Sequence, residues 1–522
     1  MEGKRQKDAG DAFGRQSEND FPYTCAMGIR SVLAKPLAAW VVSRQKAWMR
    51  HPAQTQENVF QHIIAKAKDT DFGREHHFDR IRHHRDFQER VPVRDYEGLK
   101  IWFDRVKQGL PDVLWPGKPL YLAKTSGTTS GTKYIPISKD SIGNHIGGAR
   151  DALLNYIHQT GNSAFLDKKL IFLSGSPVLE EVGGIPTGRL SGISNHHVPA
   201  YLRRNQVPGY TTNCIEDWEE KVERIVDETL NQRMGLISGI PPWVQMYFDR
   251  IRERTGKEIK DVFPDFSLFV YGGVNFEPYR KKLYDSIGKK VDSLELFPAS
   301  EGFFAFQDLP SSEGLLLLLN SGIFYEFIPV EEYFSDKPTR LSIAEVELGK
   351  NYALIINSTA GLWGYSIGDT VKFVSKNPWR LVVSGRIKHF ISAFGEHVIG
   401  EEVEKAMKRT LEYHPEVAIS EFTVAPQVNP EEGLPHHEWL VEFDRPPANM
   451  PAFERRLDES LCKLNSYYRD LIEGKILSTL TVQSLKKGAF QDYMKSKGRL
   501  GGQNKVPRLS NDRSLADGLL GN

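Results

Sequence analysis

The chain has 522 residues, 40% hydrophobic and 26% charged, and its 68 lysines and arginines against 67 acidic residues leave a net charge of +1. That length suits roughly two to four domains with substantial cores, and near-neutrality argues against a dedicated nucleic-acid binder, which carries a basic excess or stripe. Cys25, Cys214 and Cys462 stand far apart without CxxC spacing, so neither a disulfide framework nor a zinc cluster is indicated, and a reducing, cytoplasmic setting is expected.

In chain order, "MEGKRQKDAGDAFGRQSEND" lacks the apolar core of a signal peptide and reads as a polar, disordered tail over residues 1–20. Nothing reaches the ~18 apolar residues of a membrane span. "SVLAKPLAAWVV" is too short, and "GLLLLLNSGIFYEFIPV" is interrupted and reads as buried strands. From Met27 to about Lys107 the apolar spacing is helical, as in "ENVFQHIIAKAKDT" and "YEGLKIWFDRVKQGL". Beyond Pro119 strands and helices alternate: "LYLAK", "LIFLSGS", the helical "WEEKVERIVDETLNQ", "MGLISGI", "FSLFVYGG", "DSLELFPAS" and "YALIIN". This pattern predicts a layered α/β domain over residues 21–385 with a helical lead-in.

The pattern changes near Val383 to Lys388. Shorter α+β elements follow in "EKAMKRTLEYH", "EVAISEFTVAP", "EWLVEFD" and the helical "FERRLDESLCKLNSYYRDLI". A smaller α+β domain is expected over 386–510, with a tail at 511–522.

Four stretches carry chemistry. "TSGTTSGTK", Thr125 to Lys133, lies between "PLYLAK" and "KYIPIS", whose β-branched and aromatic residues predict strands. A helix is expected later, capped by Ser138, with Ile142, Ile146, Ala149, Leu153 and Ile157 on one face. A Walker loop needs G-x-x-x-x-G-K-[ST] running into a helix, and Gly127, Gly131 and Lys133 have the wrong spacing. Freed backbone N–H groups, hydroxyls and one cation nonetheless suit a phosphate. A flexible linker is the alternative. "LFPASEGFFAF" supplies Phe297, Ser300 and Glu301 where a strand ends; "GLWGYSIGDTVKF" supplies Asp369; "SGRIKHFISAFGEHVIGEEVE" supplies Arg386, Lys388 and Gly395. Singly these read as caps, turns and loops, whereas their order and spacing together are specific.

This set resembles the adenylate-forming superfamily. Within it, "VPVRDYEGLK", "TSGTTSGTKYIPIS", "PASEG", "GLWGYSIGD" and the closing "GGQNKVPR" resemble the Gretchen Hagen, or auxin-responsive promoter, family of acyl-acid amido synthetases, from about Asn58 to Arg508. The resemblance implies a ligase that uses ATP and Mg²⁺ to adenylate a carboxylic acid and then passes the acyl group to an amine, typically of an amino acid. It implies that Ser126, Thr128, Thr129 and Lys133 hold phosphates while Thr125, Gly127 and the second glycine shape the loop. Phe297 matches the aromatic against adenine, Ser300 and Glu301 the groups at the α-phosphate and magnesium, and Asp369 with Arg386 the ribose pair. Lys505 resembles the lysine that enters during adenylation, with Lys486 and Lys487 as competing candidates, and Lys388 falls at the hinge of a mobile carboxy-terminal domain. "SGIPPWVQMYF" and "FVYGGVNFEPY" match segments lining the acyl pocket, making Trp243, Val244, Tyr271, Gly273 and Val274 candidates; an aromatic-rich core is the other reading.

Two departures weigh against the plant hormone substrates. Plant members usually carry arginine at Ser366 and lysine near His397. An acyl-CoA ligase, sharing the first half-reaction, and a catalytically silent nucleotide-binding protein are the alternatives. The pairs His76/His77, His83/His84, His196/His197 and His436/His437 lack a ligand set completing a zinc site, and no G-x-S-x-G elbow supports a hydrolase.

Overall fold

The computed structural model describes residues 28–126, 132–198, 200–273, 276–310, 313–387, 390–391, 398–428, 430, 433–473, 477–498, 506–510 and 512–521. The helical periodicity at the start becomes the helices Ile29–Met49, Pro52–Ala67, Asp71–Glu75, His84–Arg90 and Lys100–Lys107. Pro52 occupies the first turn of its helix, where a missing N–H costs nothing. No helix among the described residues is long and apolar enough to cross a membrane.

An eleven-stranded sheet organises the large domain. Its spatial order is Ile323–Pro329, Asn351–Ser358, Tyr365–Lys376, Trp379–Arg386, Leu315–Leu317, Gly302–Phe306, Asp292–Ala299, Leu268–Gly272, Met234–Ser238, Lys169–Phe172 and Gln206–Val207. The last five strands run parallel to one another, and the pairs on the other side of Asp292–Ala299 are antiparallel. Parallel strands covered on both faces read as unbroken apolar runs, as in Leu268–Gly272, whose first four residues are buried. Leu315–Leu317, within "LLLLL", and Ile323–Pro329 are buried strands, as their composition predicts.

Helices cover the sheet. Trp218–Thr229 starts where the Asp217 carboxylate accepts from Glu220 N at 2.8 Å, and it buries Trp218, Val222, Ile225, Val226 and Thr229 at helical spacing. The helix after the phosphate-loop segment differs from expectation in two respects. It spans Ile142–Thr160 with Ser141 at its N-cap, while the Ser138 hydroxyl accepts from Asp140 N and Ser141 N in the preceding turn. Its buried face is Asn144, His145, Gly148, Ala152, Leu154, Asn155, Tyr156 and Ile157; of the expected stripe Ile157 is buried, while Ile142, Ile146, Ala149 and Leu153 are only half-buried. Close approach is the reason: a Cβ on Gly148 would lie 2.3 Å from Phe303 Cδ1, and Asn144 exchanges hydrogen bonds with both backbone groups of Phe303 at 2.9 and 2.7 Å.

A separate core, from Val398 to Leu509, builds the carboxy-terminal part. Its three-stranded sheet, Ala418–Gln427, His436–Arg445 and Thr481–Leu485, packs with helices Gly400–Tyr413 and Met450–Leu464. The long helical run predicted here is two helices, Met450–Leu464 and Ser466–Glu473, parted at Asn465, which has extended φ and ψ.

Candidate active site

Asp292–Ala299 is where the parallel half of the sheet meets the antiparallel half, and ligands of open α/β sheets bind at the carboxyl ends of strands near such junctions. Ser300 and Glu301 follow that strand directly. The neighbouring parallel strands end on the same side at Gly272 and Ser238.

The phosphate-loop flanks form an antiparallel hairpin in which Thr125 faces Lys133 and Ser126 faces Thr132. The strand flanks predicted from composition are therefore present; Gly127, Thr128 and Thr129 lie outside the described residues, as does the Ser126 side chain. Lys133 Nζ sits 5.6 Å from the centroid of the Tyr96 ring, which stacks on Phe103 at 4.8 Å and whose hydroxyl accepts from Tyr134 N at 3.1 Å. Tyr96 thus fixes the hairpin to the helix Lys100–Lys107.

Asp369 and Arg386 are cross-strand partners, joined by Arg386 Nε to Asp369 Oδ1 at 2.7 Å. Attraction to Asp369 raises the guanidinium above its ordinary value. Half of the arginine side chain stays exposed, while Asp369 is largely covered. One cation and one carboxylate so held can meet a ligand carrying both hydroxyl and anionic groups.

Glu301 joins the two sets. Burial pushes its carboxyl above the ordinary range, offset in part by the positive charges of Lys133 and Arg386. The Tyr365 hydroxyl donates to Glu301 Oε1 at 3.3 Å, and beside that carboxylate the buried phenol is pushed far up. Tyr365 is locked by Arg94, whose N–H donates to Gly364 O at 2.9 Å and whose carbonyl accepts from Ser366 N at 2.8 Å. The "PVRDY" and "GYSIGD" motifs lie side by side. Ser366 accepts a 2.8 Å hydrogen bond from the Tyr333 hydroxyl and is buried.

Other candidates sit deeper. Ser300 is buried, and Phe297 belongs to the main core, packed edge-on against Phe304 at 5.1 Å. Trp243, Val244 and Tyr271 are 7%, 0% and 5% exposed and belong to a second core, with Trp243 T-shaped on Trp218 at 4.9 Å and Tyr271 stacked on Phe269 at 5.3 Å. The aromatic-core reading of these three side chains is the one the packing supports. Gly273, exposed at φ +85°, needs the left-handed conformation glycine allows. Val274, Lys388, Gly395, His397 and Lys505 lie outside the described residues.

Sequence reasoning missed Tyr96, Arg94 and Tyr365, although each lies inside a quoted motif. Tyr365, four residues before Asp369 in a strand motif, was the available signal. The histidine pairs form no metal cluster with other ligands among the described residues; His84 instead meets the buried Glu326 at 2.6 Å.

Three family profiles match in chain order: the GH3 family N-terminal domain over residues 41–206, the central domain over 316–386 and the C-terminal domain over 401–514. The chain belongs to the GH3 family. The Arabidopsis thaliana indole-3-acetic acid-amido synthetase GH3.3 is 27% identical over 41% of this GH3 chain, a match spanning 38% of that protein. A second Arabidopsis thaliana protein, indole-3-acetic acid-amido synthetase GH3.15, is 21% identical over 88% of this chain and 91% of its own length. The solved structure of the AtGH3.15 acyl acid amido synthetase with 2,4-DB superposes with a TM-score of 0.75 at 17% identity, over 93% of this chain and 96% of that one. A 2-hydroxyisobutyryl-CoA ligase in its postadenylation state gives 0.58 at 14% identity, over 90% and 92%. The fold is accordingly the adenylate-forming one.

Proposed function

We propose that this GH3 protein is an ATP-dependent acyl-acid amido synthetase, a ligase of the adenylate-forming type. A substrate carboxylate oxygen attacks the α-phosphorus of ATP, the bond to the β-phosphate oxygen breaks, and pyrophosphate leaves. The amine nitrogen of an acceptor, an amino acid in our reading, then attacks the acyl carbon; AMP departs with the bonding pair, and the nitrogen loses a proton to give the amide. Adenylation is required because a carboxylate at neutral pH resists attack by an amine.

The observation that carries this reading is the convergence on Glu301 of Lys133, from the phosphate-loop hairpin, and of the Asp369–Arg386 pair. In it, Thr125, Ser126, Gly127, Thr128, Thr129 and Lys133 take the phosphates, Asp369 and Arg386 the ribose, and Phe297 backs the adenine side. Ser300 and Glu301 serve the α-phosphate. Lys505 stabilises charge developing on the phosphate oxygens; such a positioned donor is worth on the order of 10² to 10³ in rate. Lys388 is the hinge between domains 21–385 and 386–510. Trp243, Val244, Tyr271, Gly273 and Val274 belong to the acyl side of the site, the first three as its packed backing.

Magnesium fits this donor set. Mg²⁺ takes one or two carboxylates together with phosphate oxygens and water, and a single partly buried Glu301 meets that need. When bound, the ion supplies charge neutralisation on the phosphates. A reducing cytoplasmic location suits the free thiols Cys214 and Cys462.

The fold shared with a CoA ligase makes a thiol acceptor the second reading. One experiment separates the two: acid-dependent ATP–pyrophosphate exchange over a panel of carboxylates, followed by mass spectrometry of products formed with amino acids or with CoA. Exchange with amide products is expected. CoA thioesters without amides would overturn the amine acceptor, and no exchange with any acid would overturn adenylation.

A further inference from the structure

One buried group ties the end of the chain to the large domain. Arg508 donates through Nε to Glu404 Oε1 at 3.1 Å, and through Nη1 to the Phe422 carbonyl at 2.9 Å and to the Glu421 carboxylate. These partners all belong to the carboxy-terminal part. Its remaining nitrogen, Nη2, donates across the domain boundary to the hydroxyl of Tyr279, on the helix Glu277–Ile287 of the large domain. The same hydroxyl donates to Glu421 Oε2 at 2.8 Å. Tyr279 is 7% exposed, and the side chains of Arg508 and Glu421 are each 13% exposed.

The division of charge in this cluster matters. Glu404 and Glu421 keep the guanidinium neutralised within the carboxy-terminal part, and the group crossing the boundary is a phenol, which burial holds neutral. Parting the domains at this cluster therefore leaves none of its charges unpaired, the event that makes breaking a buried ion pair so costly. What is lost is a pair of hydrogen bonds to charged partners, enough to bias an equilibrium without locking it. Other crossings include the largely covered ion pair Lys372 and Glu401, Lys282 to Asp444 at 2.9 Å, Lys281 Nζ to the Pro415 carbonyl at 2.6 Å, and the exposed pair Lys495 and Glu219 at 2.7 Å. Exposed pairs of the last kind contribute little.

We infer that Tyr279 is a positioning residue for the first half-reaction: through Arg508 it clamps the carboxy-terminal domain in the arrangement that serves adenylation and releases it for amide formation. This rests on the amido-synthetase reading. Arg508 is three residues beyond Lys505 in sequence. A residue needed only for folding would affect both half-reactions alike.

The test uses the full chain with Tyr279→Phe, which keeps the buried ring and deletes only the hydroxyl. Arg508→Lys is the second variant; it retains the charge facing Glu404 and Glu421 and loses the fork. Pyrophosphate exchange is expected to fall about ten-fold in either variant, while aminolysis of a chemically synthesised acyl-adenylate stays within about two-fold of wild type. Small-angle X-ray scattering should show a more extended particle for Tyr279→Phe. Parallel loss of both half-reactions, or no change in either, overturns the clamp. Should the wild-type protein exchange with no acid, the amido-synthetase reading falls, and scattering decides the clamp: identical curves overturn it, and a wider variant supports it.

Discussion

The Tyr365 hydroxyl stands 3.3 Å from Glu301 Oε1, a contact between the strand that carries Asp369 and the turn that ends Asp292–Ala299. It holds the carboxylate of one motif with a residue of another. Tyr365→Phe removes this donor without altering packed volume. A hydrogen bond to a charged group contributes ~1.5 to 3 kcal/mol, and at this length the lower end applies. Pyrophosphate exchange should fall about ten-fold, with a small drop in thermal midpoint; equal rates would remove Tyr365 from the site.

Glu301 itself gives a pH prediction with a definite sign. Burial raises its carboxyl above the unfolded value, so the ionised form costs native stability, and the native state takes up a proton first as pH falls. Glu301→Gln should therefore raise the thermal midpoint at neutral pH. The gain should shrink as pH falls through the raised value toward the ordinary carboxylate range. Exchange activity should meanwhile drop severely, so stability and activity move in opposite directions. A variant less stable than wild type at neutral pH would contradict this account of the carboxylate.

At the Asp369–Arg386 pair, the 2.7 Å bond makes the arginine depend on its partner's charge. Asp369→Asn keeps the shape and removes that charge. The KM for ATP should rise by about ten-fold or more, with the KM for the acid little changed. An effect confined to the acid would move this pair out of the nucleotide site.

Gly148 lies mid-helix, where alanine would ordinarily gain ~1 kcal/mol. Here a Cβ would fall 2.3 Å from the ring of Phe303, which is 2% exposed. Overpacking of this kind costs ~1 to 3 kcal/mol, so Gly148→Ala should lower stability in urea unfolding. A stabilised variant would show that Phe303 can move.

Much of the fold was legible because its elements carry their own signals: unbroken apolar runs for the central strands, and a capped amphipathic pattern for Trp218–Thr229. The motif residues Lys133, Glu301, Asp369 and Arg386 could likewise be picked out by type and spacing. Pairings across register could not. Tyr365 and Glu301 are 64 residues apart, and Arg508 and Tyr279 are 229 apart; nothing local in either sequence marks the partner. The face of Ile142–Thr160 is legible only in part, at Ile157, for a physical reason. Large apolar residues mark where burial is favourable, but the closest approach to Phe303 requires glycine and asparagine. Trp243, Val244 and Tyr271 show the converse, since aromatic content near a strand end marks a core as readily as a pocket.

Behind the site lies a buried charge that sequence reading passed over. Glu326, fully buried, accepts from Arg340 Nη2 at 2.6 Å and Asn357 Nδ2 at 3.0 Å, and faces His84 Nε2 at 2.6 Å. Against the penalty of burial, Arg340 and His84 hold its carboxyl down to about 2. Its folded value is thus depressed, so its contribution to stability is complete above the ordinary glutamate range and is lost as pH falls toward about 2. Asn357 Oδ1 also accepts from Gly364 N at 2.6 Å, immediately before Tyr365. Removing one partner of a buried pair costs ~3 to 5 kcal/mol. Arg340→Met should therefore destabilise the protein by about that amount at neutral pH in urea unfolding, with the deficit narrowing in acid as Glu326 takes up a proton. Because Asn357 shares the network, pyrophosphate exchange should fall as well, even at temperatures where the variant remains folded. A variant of normal stability would show that the Glu326 charge is met without Arg340.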